Sequence, residues 1–340
     1  MKRGLPNSEA ARTAWARAPR RGLLAFALGL LVLVTVACAA KATPTPTATP
    51  VPTATPTPAG TRYPLTITDK MGRPVQVNAR PVRIVSVHPT ATEMLYKAGG
   101  VAVGRDTSSR YPPEAQPLPT VGGAYSVSVE SLVALQPDLV LIEAVTQARL
   151  LESLQKAGAP VVAVRAASLQ DVKESLALVG RLIDRRDVAE RAAADIEARV
   201  TASKSKAPGG KAVLVLISDA DRKIYAAKPE SYPGEVVKLL NLTNLAAGLP
   251  DSGPYPGFAL FSGEQAVTAK PDVIFTISPA PAPAPTLSSM LPRVPGYADL
   301  DAVKAGRVKE ISPELFLQAQ GPRIDEAVDQ LAVLVSQAAP

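Results

Sequence analysis

Two glutamates, Glu130 and Glu264, stand at the same place in two copies of one sequence pattern. Each is followed seven residues later by Pro-Asp and then by an apolar run, over 139–142 in the first copy and 273–275 in the second. The pattern predicts a short helix, a proline that ends it and a buried parallel strand. It therefore favours two similar α/β lobes, each displaying one carboxylate at the start of a surface helix. The alternative is that the order helix, Pro-Asp, strand is simply a common connection in α/β proteins and carries no functional meaning.

Residues that could carry covalent or metal chemistry are scarce. The chain has one histidine, His88, and one cysteine, Cys38. A zinc site needs three or four His, Cys or carboxylate ligands, so a dedicated zinc site is not expected. The sequence contains no G-x-S-x-G elbow, no P-loop and no G-x-G-x-x-G motif. We therefore predict a binding protein without catalytic residues and without a resident cofactor, and not an enzyme.

The N-terminal segment has the order of a bacterial lipoprotein signal. Basic residues precede an apolar run over 22–36, and Thr35-Val36-Ala37-Cys38 resembles a lipobox in which threonine replaces the usual leucine. We predict a signal peptide over 1–37 and a lipidated Cys38, because a lone cysteine in a secreted protein cannot form an intramolecular disulfide. The alternatives are an ordinary signal peptide with an incidental cysteine, or an uncleaved anchor.

A tract rich in threonine and proline follows, over 38–60. Such a tract cannot bury a core and favours an extended conformation, so it predicts a stalk that holds the folded part away from a membrane surface. The net charge of +7 is concentrated before Cys38, and about +2 remains without that segment. A nearly neutral, secreted domain gives no electrostatic case for a nucleic-acid partner.

From residue 61 onward, strand patterns alternate with helix patterns, as in folds built on parallel sheets. We predict an N-terminal α/β lobe over 61–165, linker and backbone helices over 166–208, and a C-terminal α/β lobe over 209–340. The helix over 187–204 would be about 27 Å long, enough to bridge two lobes. The predicted strands are 65–69, 74–77, 83–87, 101–103, 138–142, 161–164, 212–217 and 306–310. The predicted helices are 91–98, 129–136, 148–157, 168–184, 187–204, 232–240 and 322–336, with a helix and a strand sharing 263–277.

Five motifs occur in a fixed order along this part of the chain. They are Arg83-Ile-Val-Ser-Val-His-Pro-Thr-Ala-Thr-Glu-Met-Leu-Tyr-Lys-Ala-Gly99, Tyr111-Pro-Pro113, Leu118-Pro-Thr-Val-Gly-Gly123, Glu130 with Gln136-Pro-Asp-Leu-Val-Leu141, and Ala302-Val-Lys-Ala-Gly-Arg-Val308. Together they resemble the periplasmic-binding family for iron-siderophore, haem and cobalamin, the substrate-binding lipoproteins of ABC importers. The resemblance implies two parallel-sheet α/β lobes, joined by one long backbone helix, with the ligand in the cleft between them.

The resemblance also implies a role for the repeated glutamates. Glu130 on the N-terminal lobe and Glu264 on the C-terminal lobe would dock onto arginines of the two permease subunits. One carboxylate on each lobe suits a two-fold partner, through charge-assisted pairs. The alternative is that both are helix N-terminal acids favoured only by the helix dipole.

Candidate ligand-binding residues follow from the chemistry of the possible ligands. A tetrapyrrole needs aromatic faces, and haem iron needs a Tyr, His or Met ligand. Tyr111 lies in a Ser-Ser-Arg-Tyr-Pro setting similar to that of the iron ligand in the haem-binding branch, and Tyr125 lies where the cobalamin branch can carry an aromatic. His88 follows the first strand, at the sheet edge where α/β folds bind ligands, although a lone histidine can be purely structural. Tyr225, Tyr232 and Tyr255 are candidates in the second lobe, and we include Tyr232 and Tyr255 in the ligand set.

Cations could bind haem propionates or an anionic siderophore. Arg110 is the candidate that we include in the ligand set, and Arg105, Arg222 and Lys228 have the same chemistry. Each of them could instead be a solvated surface charge. If the ligand is haem, Tyr111 or His88 would coordinate its iron.

The sequence thus predicts a monomeric, membrane-tethered binding protein outside the cytoplasm. It would capture a ferric siderophore, cobalamin or haem and deliver it to an ABC permease, the ligand being cargo rather than cofactor. Two other functions stay open. One is an extracellular enzyme on the same scaffold, because a fold does not fix a function; the other is a sensor or interaction lipoprotein that no longer serves transport.

Overall fold

The computed structural model describes residues 60–280 and 283–338. The predicted signal peptide, Cys38 and all but the last residue of the predicted stalk lie outside these residues. Within them, no helix is both long and apolar enough to cross a lipid bilayer.

The first half of the described chain is a lobe built on a parallel sheet. Its elements, in chain order, are β1 (Leu65–Thr68), β2 (Pro74–Val77), β3 (Ile84–Ser86), α1 (Pro89–Lys97), β4 (Gly104–Arg105), β5 (Gly122–Gly123), β6 (Ser126–Val127), α2 (Val129–Ala134), β7 (Leu139–Glu143), α3 (Leu151–Gln155) and β8 (Val161–Val164). The sheet has the order β4-β3-β7-β8. β7 and β8 are buried at every residue, which explains their continuous apolar sequences. β1 and β2 lie at the two predicted strands 65–69 and 74–77 and pair as an antiparallel hairpin.

The second half is a lobe built on a mixed sheet. Its elements are α4 (Leu169–Leu182), α5 (Arg186–Lys204), β9 (Ala212–Ser218), β10 (Ile224–Ala227), α6 (Tyr232–Leu239), β11 (Thr243–Asn244), β12 (Phe258–Leu260), α7 (Gly263–Ala269), β13 (Val273–Ile277), α8 (Leu287–Met290), α9 (Asp301–Lys304), β14 (Val308–Ile311) and α10 (Ile324–Gln337). The sheet has the order β12-β10-β9-β13-β14, and β11 also pairs with β9. β9, β13 and β14 are parallel, as predicted, and β11, which was not predicted, is parallel to β9. β10 runs antiparallel to both of its neighbours.

The chain passes from the first sheet to the second through α4 and α5. Ser168 caps α4 by accepting a hydrogen bond from the Asp171 amide at 3.1 Å. α4 ends before Asp184, whose φ of 57° breaks the helix where the sequence predicted. α5 has 19 residues, a length of about 28 Å, and packs against both α4 and α10. At Gly180 of α4 a Cβ would lie 2.5 Å from the Cβ of Ala189, so the close approach of the two helices requires glycine there.

A single hydrophobic core connects the two sheets. It includes Leu139 of β7 in the first sheet, Ile196 of α5, Phe275 of β13 in the second sheet and Leu331 of α10. The outer faces of the two sheets have separate, smaller clusters. The two lobes therefore share buried apolar contacts and are not independent cores joined by a linker.

Several predicted elements were wrong in position. The strand expected at 101–103 lies instead at β4, where Gly104 and Arg105 pair with Val85 and Ser86 of β3. The helix expected at 148–157 is a 3₁₀ turn, Ala148–Leu150, followed by α3. α10 begins after Pro322, since Arg323 adopts a non-helical conformation. The two-residue strands β5, β6 and β11 and the antiparallel strands β10 and β12 were not predicted from the sequence.

Candidate functional site

The two copies of the repeated pattern have the same local structure. A serine caps each helix at its N-terminus. The hydroxyl of Ser128 accepts a hydrogen bond from the Ser131 amide at 3.1 Å in α2, and the hydroxyl of Ser262 accepts one from the Gln265 amide at 3.2 Å in α7. Each helix is followed by a residue with a left-handed backbone, Gln136 with φ 46° and Lys270 with φ 49°. Pro-Asp and a buried strand come next in both copies.

The aspartates of the two copies anchor the neighbouring strand. Asp138 accepts hydrogen bonds from the amides of Val82 and Arg83, at 2.8 Å and 2.9 Å, just before β3. Asp272 accepts one from the amide of Ala212, at 2.8 Å, at the start of β9. The Pro-Asp part of the pattern is therefore a structural signal, because it aligns the start of one strand with the next strand of the sheet.

The glutamates of the two copies are exposed. Glu130 lies in the first turn of α2 and Glu264 in the first turn of α7. Neither carboxylate forms a salt bridge with another residue that the structure describes. Each helix also exposes a valine three residues later, Val133 and Val267, both 46% exposed. Residues three apart are neighbours on a helix surface, so each lobe presents a carboxylate beside an apolar side chain.

A cleft of about 320 Å³ is lined by residues from both lobes. The first lobe contributes the residues that follow β3, β7 and β8, at the carboxyl edge of its sheet, where α/β folds bind ligands. The second lobe contributes the start of α6, the segment before β12 and the segment after β14. Of the six predicted ligand residues, His88, Tyr125 and Tyr232 line the cleft, whereas Arg110, Tyr111 and Tyr255 do not.

His88 is held in place as the N-cap of α1. Its Nδ1 accepts a hydrogen bond from the Thr90 amide at 3.2 Å, so the proton of the neutral ring lies on Nε2. Nε2 is 3.5 Å from the hydroxyl oxygen of Thr146 in the cleft. Burial lowers the pKa of His88 to about 4, which keeps the ring neutral. In this tautomer Nε2 is a donor and has no lone pair for iron.

Glu143, at the end of β7, is a cleft residue that sequence reasoning missed. The residue is only 7% exposed. Its Oε2 accepts hydrogen bonds from the Val145 amide, the Thr146 amide and the Thr146 hydroxyl, at 2.9, 2.6 and 2.7 Å. Its Oε1 accepts none from the residues that the structure describes. Its position directly after a buried strand was the available signal, because that is where functional side chains of α/β folds lie.

The aromatic residues of the cleft differ in their surroundings. Tyr125 is 56% exposed and packs edge-on against His88, with 6.4 Å between ring centroids. Tyr232 is buried, and burial raises the pKa of its hydroxyl. Tyr255 stacks obliquely on Phe258, a cleft residue, at 5.9 Å. Tyr125 therefore offers the most accessible aromatic surface, and Tyr232 is part of the wall.

Tyr111 faces a cation rather than the cleft. The guanidinium of Arg323 lies 4.2 Å from the centre of the Tyr111 ring, a cation–π contact. Burial raises the pKa of the Tyr111 hydroxyl, and Glu326 and Glu93 add to the shift. The preceding residue, Arg110, is exposed and does not line the cleft.

The charges around the cleft are predominantly acidic. Its described lining contains the carboxylates of Glu143, Glu230 and Asp251, and the guanidinium of Arg165. Arg165 already pairs with Asp171, with 3.2 Å between Nε and Oδ2. The other predicted cations are also engaged or distant. Lys228 pairs with Asp251 and Glu230, Arg105 donates to three backbone carbonyls, and Arg222 lines a separate groove.

Two further side-chain contacts join the lobes, in addition to the contact between Tyr111 and Arg323. The hydroxyl of Thr90, in α1, donates to the Gln320 carbonyl at 2.6 Å. Arg323 forms a two-pronged ion pair with Glu93 of α1, at 2.9 Å and 2.6 Å, and also contacts Glu314 at 2.8 Å. The side chain of Glu93 is 1% exposed and that of Arg323 is 11% exposed. Burial raises the pKa of Glu93 to about 7, and the pairing with Arg323 opposes that shift.

Residues 84–315 match the family model described as periplasmic binding protein. The chain belongs to that family. The uncharacterized ABC transporter substrate-binding lipoprotein YvrC of Bacillus subtilis is 28% identical over 281 residues, 79% of this chain and 85% of that protein. The vitamin B12-binding protein of Vibrio parahaemolyticus is 29% identical over 197 residues, 57% of this chain and 70% of that protein.

Solved structures of periplasmic binding proteins have the same fold. The periplasmic heme-binding protein RhuT from Roseiflexus sp. RS-1 superposes with a TM-score of 0.65 at 27% identity, covering 76% of this chain and 99% of that one. The family resemblance and the two-lobed α/β fold predicted from the sequence motifs are thereby confirmed. Members of the periplasmic binding protein family are binding proteins, and the arrangement of this cleft suits that role. The described residues include no group of three or more His, Cys, Asp or Glu side chains that could hold a metal ion.

Proposed function

We propose that this protein is the substrate-binding component of an ABC importer and captures a metal chelate in the cleft between its lobes. The observation that carries the proposal is a cleft at the carboxyl edge of the first sheet, walled by the second lobe and lined by an exposed aromatic and several polar groups. Such mostly preformed clefts are typical of small-molecule sites. In this proposal the protein acts as a monomer, by binding and without turnover, and a cleft lined by residues of one chain supports the monomeric state.

The possible cargoes are cobalamin, haem and a ferric siderophore. The similarity to a vitamin B12-binding protein and to a heme-binding protein supports the first two. Tyr125 is the cleft residue with the most aromatic surface to offer a flat chelate. His88 orients a donor into the cleft instead of serving as an iron ligand, because Nδ1 is committed to the helix cap.

The protein works outside the cytoplasm, attached to the membrane through Cys38 and the Thr/Pro-rich stalk. This part of the proposal rests on the sequence of the N-terminal segment and on the similarity to a substrate-binding lipoprotein. Radiolabelled palmitate should be incorporated into the wild-type chain and not into Cys38→Ser. Equal labelling of both would contradict lipidation at this cysteine.

Glu130 and Glu264 dock the protein onto the permease. Support comes from the matching structure of α2 and α7, which gives each lobe an exposed carboxylate with an exposed valine beside it. Two equivalent surfaces suit a partner made of two equivalent subunits. The apolar side chains would add contact area next to charge-assisted pairs with permease arginines.

The cargo is tested by titrating the full chain, purified in detergent, with cyanocobalamin, haem and ferric siderophores. Absorption spectra and isothermal calorimetry would report saturable binding to one of them. Tyr111→Phe tests whether Tyr111 is a haem-iron ligand. The substitution should leave binding intact if the cleft alone holds the cargo, and it should abolish the haem spectrum if Tyr111 coordinates the iron. Failure of every chelate to bind would refute the proposed function.

Docking is tested with Glu130→Arg and Glu264→Arg, alone and together. Both changes should stop permease-dependent uptake while ligand affinity stays unchanged, because the helices lie outside the cleft lining. Glu152→Arg is a matched control, since Glu152 is also exposed in the first turn of a short helix, α3. Uptake that survives the double reversal, or fails equally in the control, would rule out docking through these residues.

A further inference from the structure

We propose that the cleft selects a neutral or cationic chelate that presents N–H donors, that it discriminates against chelates with free carboxylates, and that Glu143 is the residue responsible. This inference rests on the proposed function, because it names the chemical class of cargo that the cleft would hold. It is drawn from the charges that line the cleft.

Glu143 is the only carboxylate in the described lining that is more than nine-tenths buried. Three hydrogen bonds from residues 145 and 146 fix its Oε2, so the side chain cannot turn away from the cleft without losing all three. Its Oε1 accepts nothing from the described residues and must be satisfied by water or by the ligand. When a ligand displaces that water, a buried carboxylate oxygen needs a donor, since an unpaired buried charge is costly.

The surrounding groups offer no replacement for a ligand donor. Arg165 is the one cation in the described lining, and it is paired with Asp171. The rim carboxylates Glu230 and Asp251 share Lys228. Among the charged residues of the described lining, Glu143 is therefore the one without a salt-bridge partner, and it is the like charge that a ligand carboxylate would meet. Like charges facing each other at an interface act against the wrong partner.

The neutral side of the same wall offers a matching donor. Nε2 of His88 carries the ring proton, and the Thr146 hydroxyl donates to Glu143. The wall thus presents an acceptor, the Glu143 carboxylate, and a donor, His88 Nε2, both next to the Thr146 hydroxyl, which lies 2.7 Å from Glu143 Oε2 and 3.5 Å from His88 Nε2. A peripheral carboxamide supplies the complementary N–H and C=O, whereas a carboxylate supplies acceptors only. The geometry points to an amide-bearing chelate.

The test compares ligands that differ in one group. Cyanocobalamin carries peripheral carboxamides, and the separate monocarboxylates made by hydrolysing one amide keep its size and shape. Wild-type full chain should bind cyanocobalamin at least about ten-fold more tightly than one or more of the monocarboxylates, which is the effect of a like charge about 10 Å away at an effective dielectric constant of 20. Haem, with two propionates, should bind more weakly than cyanocobalamin.

Glu143→Gln keeps the shape of the side chain and an acceptor for residues 145 and 146. It should bring the affinity ratio between cyanocobalamin and the disfavoured monocarboxylate below about three-fold, mainly by improving the carboxylate ligand. Glu114→Gln, an exposed change outside the cleft lining, should leave the ratio at its wild-type value. The comparison of ligands on wild-type protein stands even if Glu143→Gln does not fold.

The outcomes separate this inference from the proposed function. Equal binding of cyanocobalamin and every monocarboxylate, or a preference for haem or a carboxylate siderophore, would overturn the charge selection and leave the importer role intact. An unchanged ratio in Glu143→Gln would remove Glu143 from that role. The absence of binding by any chelate would overturn both the inference and the proposed function.

Discussion

The ion pair between Glu93 and Arg323 gives a sharp prediction about what holds the two lobes together. Replacing Arg323 with methionine keeps most of the side-chain volume but leaves Glu93, whose side chain is 1% exposed, without its partner. Removing one partner of a buried pair typically costs about 3–5 kcal/mol. We therefore expect Arg323→Met to lower the free energy of unfolding by that amount at pH 8, measured by urea denaturation.

The mechanism predicts two further results for the same pair. Glu93→Met combined with Arg323→Met should recover most of the loss, because no charge is then left buried. The cost of Arg323→Met should also shrink at pH 5, since burial already raises the pKa of Glu93 to about 7 and the unpaired carboxyl can protonate. Arg191→Met is the control. Arg191 pairs with Asp187 on the surface, at side-chain exposures of 67% and 57%, and its loss should cost under about 0.5 kcal/mol.

The result that would refute this reasoning is a small effect. If Arg323→Met lowers the free energy of unfolding by less than about 1 kcal/mol at pH 8, the pair contributes no more than an exposed surface salt bridge would. A double variant as unstable as the sum of the two single ones would show that packing, and not the uncompensated charge, is what the substitutions remove.

Three other predictions concern the cleft and the strand anchors. Burial lowers the pKa of His88 to about 4, so the unfolded chain takes up the proton first as pH falls, and the wild-type protein should lose about 3 kcal/mol of stability between pH 6.5 and pH 4. His88→Asn should remove this loss. Urea unfolding that finds the same change of stability with pH in both proteins would contradict the prediction. Asp138→Ala should lower the free energy of unfolding by about 1–2 kcal/mol and Asp272→Ala by somewhat less, since the first aspartate accepts two amide hydrogen bonds and the second accepts one. If thermal denaturation shows that Asp272→Ala is the more destabilising change, the anchoring role is contradicted. Tyr125→Ala should weaken cargo binding by roughly three- to ten-fold without changing stability, because its ring is 56% exposed on the cleft. An unchanged affinity in calorimetry would show that the ring is not part of the binding surface.

Local sequence patterns were enough to predict most of the regular structure. Both lobes, the parallel strands and the break near Asp184 follow from apolar periodicity and from proline and glycine positions. β10 and β12 could not be predicted in the same way. They are antiparallel strands of four and three residues. β10 pairs with β9 and β12 pairs with β10, so their direction is set by their partner strands and not by their own patterns.

The candidate site was less predictable because its parts are distant in sequence. The motif around Tyr111 suggested an iron ligand, yet the ring covers Arg323, which follows it by more than two hundred residues. Glu143 has no motif of its own, and its importance comes from being buried beside Thr146 and His88. Sequence position alone could predict the edge of the sheet, but not which side chains would face the cleft there.

The shared core of the two lobes has a practical consequence for biosensor design. Optical sensors made from two-lobed binding proteins depend on a large change in distance between fluorophores when the ligand closes the lobes. Here α5 and α10 bury side chains in a core that also includes residues of both sheets, so wide opening would expose packed apolar surface. A chain that already occupies its binding-competent arrangement loses little affinity to population of other states. For the same reason, fluorophores on the two lobes should report little, and an environment-sensitive dye beside Tyr125 would be the better reporter.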